Sequence, residues 1–119
     1  MKFVAVTQHR SEFPQPITFA KGAALVVGEC YAGEEGWDNW YFCSTPGQCS
    51  GWVPGQVIER LHGDQGRALE DYCARELSVD PGEHLLGTRQ LNGWVWCEKA
   101  DAEQGWVPLQ VLRVLSQDT

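Results

Sequence analysis

Apolar and polar residues alternate along most of this chain with a period of two. Trp94-Val95-Trp96-Cys97 sets Trp94 and Trp96 on one face of a strand and Val95 with Cys97 on the other. Trp40-Tyr41-Phe42-Cys43 repeats that division, with Trp40 and Phe42 set against Tyr41 and Cys43. In Gly51-Trp52-Val53-Pro54 and Gly105-Trp106-Val107-Pro108 the same period turns Val53 and Val107 inward and Trp52 and Trp106 outward. Each run closes on a proline, whose missing N–H ends a ladder. Asn92-Gly93 separates Leu85–Leu91 from Trp94–Lys99 and is the pair best suited to a two-residue type I′ hairpin, because both central residues take positive φ. No stretch keeps a helical apolar period over ten residues. Single 3₁₀ turns at Pro54–Val57 and Pro108–Val111 are the only helical elements expected.

The pattern repeats. Gly51-Trp52-Val53-Pro54-Gly55-Gln56-Val57 recurs as Gly105-Trp106-Val107-Pro108-Leu109-Gln110-Val111, an offset of 54 residues. That offset also carries Trp40 onto Trp94, Cys43 onto Cys97 and Leu61 onto Leu115. Upstream, Ile17–Gly22 matches Leu77–Gly82 at an offset of 60, so the first copy holds six extra residues, placed in the Gly- and Glu-rich stretch Ala32–Asn39. Two homologous units follow, about 3–61 and 67–115, joined by the short polar segment Leu61–Arg67. As domains these are 1–61 and 67–119, with residues 62–66 as linker. The architecture expected is all-β, two tandem small five-stranded barrels.

Composition narrows the function classes. The 119 residues include 13 Gly, 6 Pro and 6 Trp, a profile rich in turns and aromatic surface. A net charge of −7 lacks the positive field that gathers phosphate backbones, which argues against a nucleic-acid partner. No apolar run reaches the roughly 20 residues a bilayer needs, and the N-terminus carries no signal-like apolar core. The expectation is a cytoplasmic protein without a membrane partner. Cys30, Cys43, Cys49, Cys73 and Cys97 are odd in number and form no CxxC pair, which reads as reduced thiols rather than a disulfide framework. Cys43 and Cys97 are expected as equivalent small core residues. No second ligand pair accompanies Cys43 and Cys49, so no metal is expected. His9, His62 and His84 are scattered, and phosphate loops, HExxH and Ser/His/Asp groupings are missing. Neither catalysis nor a cofactor is expected.

Several segments resemble the SH3 domain family. Ala68-Leu69-Glu70-Asp71-Tyr72 is similar to its Ala-Leu-Tyr-Asp-Tyr opening, and Glu76-Leu77-Ser78-Val79 with Gly82-Glu83 to its Glu-Leu-Ser-Phe and Gly-Asp elements. Trp94 stands where the family has its first Trp, and Gly105–Leu112 where it has Gly-Leu-Phe-Pro-Ser-Asn-Tyr-Val. The first copy matches from Ile17 to Gly22 and from Trp40 to Ile58, and the pair looks like a tandem of variant SH3 domains of the sort found in bacteria.

The resemblance implies a non-enzymatic adaptor that binds proline-rich or extended basic peptide segments on aromatic grooves. In the second copy it assigns Tyr72, Trp94, Trp106, Pro108 and Gln110, with Glu76 as the acidic partner of a ligand Arg or Lys. In the first it assigns Trp40, Trp52, Pro54 and Gln56, with His9 in place of Tyr and Pro16 in the acidic position. Glu70, Val57 and Val111 replace tyrosines of the family pattern, which narrows or remodels each groove. Trp37 and Trp96 are expected to serve packing. The alternative is a structural subunit or homodimer that buries its Trp faces between barrels, since a unit of about 55 residues has little core of its own.

Overall fold

The structure, a computed structural model, describes residues 1–11, 15–32, 39–48 and 50–115. Trp37, Cys49 and most of the Ala32–Asn39 insertion lie outside the described residues.

Among the described residues twelve strands follow one another: β1 (Lys2–Ala5), β2 (Thr18–Phe19), β3 (Ala24–Cys30), β4 (Trp40–Ser44), β5 (Gly51–Pro54), β6 (Ile58–Arg60), β7 (Gln65–Ala68), β8 (Tyr72–Cys73), β9 (His84–Leu91), β10 (Trp94–Glu98), β11 (Gln104–Pro108) and β12 (Leu112–Val114). The 3₁₀ turns fall at Gly55–Val57 and Leu109–Val111, each directly after its proline. Asn92 (φ 47°) and Gly93 (φ 89°) make the expected tight hairpin between β9 and β10.

Two packed units result. The continuous unit is Gln15–Ala74; the discontinuous unit combines Met1–Pro14 with Arg75–Thr119. Each contains a five-stranded antiparallel sheet, ordered β5-β4-β3-β7-β6 in the continuous unit and β11-β10-β9-β1-β12 in the discontinuous one. The cores are built from matching residues. Leu85, Cys97, Val107 and Val111 in one answer Leu25, Cys43, Val53 and Val57 in the other, all buried.

The packed units divide the chain differently from the repeat. The opening strand of each repeat completes the sheet of the other. β1 pairs with β9 and β12, setting Phe3 opposite Leu85 and Val114. β7 pairs with β3 and β6, setting Gly66 opposite Leu25 and Arg60. Residues 62–66 are therefore not a domain linker. Leu61 N donates to Gln65 O (3.0 Å) and Gln65 N to His62 O (2.8 Å), with Gly63 at φ 55°, so the segment is a hairpin turn between β6 and β7. A turn that tight returns the chain against the strand it has just left, and the opening strand of repeat two is captured there.

Candidate functional site

In the discontinuous unit the site begins at the β9–β10 hairpin, which fixes Trp94 at the start of β10, opposite Pro108 on β11. Leu109 N donates to Gly93 O (2.8 Å), tying the 3₁₀ turn to the hairpin and leaving Gln110 exposed beside it. His9 follows β1 and is fixed by a two-way backbone bridge with Val79: His9 N to Val79 O at 3.0 Å, Val79 N to His9 O at 2.9 Å. Its ring meets Trp94 edge-on, 5.7 Å between centroids at 77°. His9 Nε2 lies 3.0 Å from Glu76 Oε1, where the imidazole N–H donates to the carboxylate. Only 13% and 11% of the two side chains are exposed, so water screens this pair far less than a surface ion pair.

Glu76 is positioned by its own backbone. Trp106 N donates to Arg75 O (2.9 Å) and Leu77 N to Trp106 O (3.0 Å), so residues 75–77 run parallel to β11. A Cβ at Gly105 would lie 2.8 Å from Leu77 N, and glycine is what allows that approach. Trp106, flanked by this segment and packed edge-on against Trp96 (5.3 Å), is buried. Trp96 in turn donates from Nε1 to Gln104 Oε1 (3.2 Å) and remains half-buried.

In the continuous unit Trp40, at the position of Trp94, is buried, and the accessible indole is Trp52, at the position of the buried Trp106. Tyr72 occupies the place of His9; its ring tilts on Phe19 (5.6 Å) and its hydroxyl donates to Trp52 O (3.2 Å). Trp52 is half-buried and meets Phe42 at 5.1 Å and Tyr31 at 5.2 Å, both edge-on. Asn39 bridges toward the turn after β5: Gly55 N donates to Asn39 O (2.8 Å), and Asn39 Nδ2 to Gln56 Oε1 (3.1 Å).

The residues assigned from the sequence are regrouped by the strand exchange. Tyr72 does not join Glu76, Trp94, Trp106, Pro108 and Gln110; it packs in the unit of Trp40, Trp52, Pro54 and Gln56. His9 joins the set around Glu76 instead. Five of the assigned residues do not line an open surface. Tyr72, Trp40 and Trp106 are 7%, 6% and 5% exposed, and Pro54 and Pro108 are fully buried. Alternation along a strand fixes the face a side chain occupies, but not what is laid over that face. Glu76, offered as the acidic partner of a ligand, is already engaged by His9. Trp94, Trp52, Gln110 and Gln56 keep accessible surface. The sequence reading passed over Tyr31 and Phe42; the aromatic pair of Phe42 across from Trp52 has its counterpart in Trp96 across from Trp106, a signal present in the repeat.

Cys43 and Cys97 are fully buried, and burial pushes both thiols up to about 11, offset slightly at Cys43 by Arg60 and a backbone hydrogen bond from Gly28. Among the described residues no three His, Cys, Asp or Glu side chains converge as metal ligands. No helix is long and apolar enough to cross a membrane.

Five-stranded antiparallel sheets with almost no helix make this a small barrel-like all-β fold. The sequence pattern of the variant SH3 domain family matches residues 2–61, half of the chain, and the chain belongs to that family. Domains of this kind are in general interaction modules rather than catalysts. The match covers the first repeat, including β1, which completes the discontinuous unit. No curated protein and no solved structure matches the chain significantly.

Proposed function

We propose that this chain is a non-enzymatic protein–protein interaction module whose two units each take an extended peptide segment, proline-rich or basic, on the surfaces of Trp94 and Trp52. The observation that carries this reading is that Trp94 in one unit and Trp52 in the other are half-buried indoles, each packed edge-on against neighbouring aromatic rings at 5–6 Å. Such rings offer flat apolar area with little rotamer entropy left to lose. At Trp94 the ligand would meet Glu76, whose Oε2 takes no hydrogen bond among the described residues, so a ligand Arg or Lys can share the carboxylate with His9. The net charge of −7 favours a basic segment. Two such surfaces in one chain let a partner with two segments gain affinity through effective concentration.

The test is a fluorescence titration with proline-rich peptides, with and without Arg, against the wild type and the Trp94→Ala and Trp52→Ala chains. Binding is expected to weaken at least tenfold in each variant, the loss typical of an aromatic anchor costing about 2 kcal/mol. Unchanged affinity in both variants would remove the reading. A second reading, a structural subunit or homodimer whose Trp faces serve packing, draws on the burial of Trp40 and Trp106. Acrylamide quenching separates the two, since shielded tryptophans that ignore every peptide favour packing.

A further inference from the structure

Phe3 and Gly66 hold the same place in the two units, each between the third and fifth strands of its sheet. The residues packed against them are also equivalent, Gly87 in the discontinuous unit and Val27 in the continuous one. A Cβ on Gly87 would fall on Phe3 Cε2 and come within 2.8 Å of Val95 Cγ1. A Cβ on Gly66 would lie 3.0 Å from Val27 Cγ2 and 3.2 Å from both Ile58 Cγ2 and Glu59 O. Each unit thus combines one large side chain with one glycine, in opposite order. Barrels closed within contiguous repeats would drive Phe3 onto Val27 and leave Gly66 facing Gly87. The first is overpacking and the second a cavity, and both are destabilising. The gap between β9 and β12 therefore accepts a strand with an aromatic at the Phe3 position and rejects β7.

A gap keyed in this way does not distinguish the β1 of its own chain from the β1 of another. We propose that it is a strand-acceptor site whose second ligand is the Lys2–Ala5 strand of another copy of this chain, giving a dimer by reciprocal exchange. Phe3, Val4 and Ala5 are all buried there, and Gly87 N donates to Met1 O (2.7 Å), so the segment carries its own anchoring into whichever sheet it enters. The continuous unit contains no part of β1 and keeps its sheet in either arrangement. The covalent tether favours self-closure by holding β1 at a local concentration on the order of millimolar. Exchange therefore needs refolding at comparable protein concentration.

The experiment uses two full-length chains. Gly87→Val closes the acceptor and keeps β1; Phe3→Gly blunts β1 and keeps the acceptor. Co-refolded at about 1 mM, they are expected to give a one-to-one complex of twice the chain mass by light scattering, which neither gives alone. The ratio of dimer to monomer should rise tenfold for each tenfold rise in concentration while dimer is scarce. A mixture that stays at monomer mass with its strand circular dichroism intact overturns the proposal. If the variants do not fold, wild-type chains with two isotope labels, co-refolded at the same concentration, decide it: Overhauser contacts from Phe3 of one label to Leu85 and Val114 of the other support exchange, and a dimer or monomer without them refutes it. A Phe3→Gly chain that folds and dimerises alone as readily as the wild type also refutes it, because that dimer would form without the aromatic key.

Discussion

The continuous and discontinuous units share one strand plan, one set of core positions and one pair of 3₁₀ turns, yet differ where their surfaces could meet a ligand. One presents His9, Glu76 and Trp94, an imidazole–carboxylate hydrogen bond beside an indole; the other presents Trp52 between Tyr31 and Phe42, with Tyr72 bonded behind it. Pro16 stands in the continuous unit where Glu76 stands in the other, so the charge has no counterpart there. The scaffold is set by buried positions that tolerate little change, whereas the surfaces vary because nothing in the core depends on them.

The largest effect that would break this equivalence is Phe3→Ala. Phe3 is 1% exposed, and its truncation should cost about 3–5 kcal/mol. The loss should fall on the discontinuous unit alone, with hydrogen exchange accelerating in β9–β12 and unchanged in β3–β6. Uniform acceleration would show that the two units unfold as one.

A smaller difference is expected at the paired glycines Gly105 and Gly51. An added Cβ would meet backbone at Gly105 (Leu77 N, 2.8 Å) but a side-chain methyl at Gly51 (Ile17 Cγ2, 2.8 Å). Backbone cannot step aside and the stiff, buried Ile17 side chain gives only in part, so urea denaturation should give about 3 kcal/mol for Gly105→Ala and about 2 for Gly51→Ala. Equal losses would mean that residues 75–77 do not lie against β11 as described.

Smallest is the effect of alkaline pH, where the units should behave alike. Cys43 and Cys97 titrate near 11 in the folded chain, above the value of an exposed thiol near 8.5–9. The folded state holds these protons more tightly, so their contribution is complete below about pH 8.5 and is lost as pH rises toward 11. A stability decline over that window, reduced in either Cys→Ala chain relative to its own neutral-pH value, is the expected result. At pH 8 a thiol reagent should find Cys30 and spare both buried thiols.

Much of this was legible in the sequence, and the part that was not has a physical cause. Alternation located the strands, Asn92-Gly93 the hairpin, and the repeated Gly-Trp-Val-Pro the 3₁₀ turns, because those depend on local periodicity and backbone conformation. Strand partnership depends on contacts between distant residues. His62-Gly63-Asp64 reads equally as a linker or as a turn, and only the packing shows that it is a turn. The deciding contacts, Phe3 on Gly87 and Gly66 against Val27, lie at repeat positions whose sizes are reversed between the copies. The candidate site followed the same course: the repeat marked Trp94 and Trp52 as matched aromatic positions, but it set Tyr72 beside Glu76 and left His9 apart from Glu76, because both groupings assumed contiguous barrels.

Strand partnership is therefore the claim on which the rest stands, and backbone nuclear Overhauser contacts from Phe3 test it most directly. The structure requires contacts from Phe3 to Leu85 and Val114 in dilute monomer. Contacts from Phe3 to Leu25 and Arg60, the partners that Gly66 holds, would contradict it.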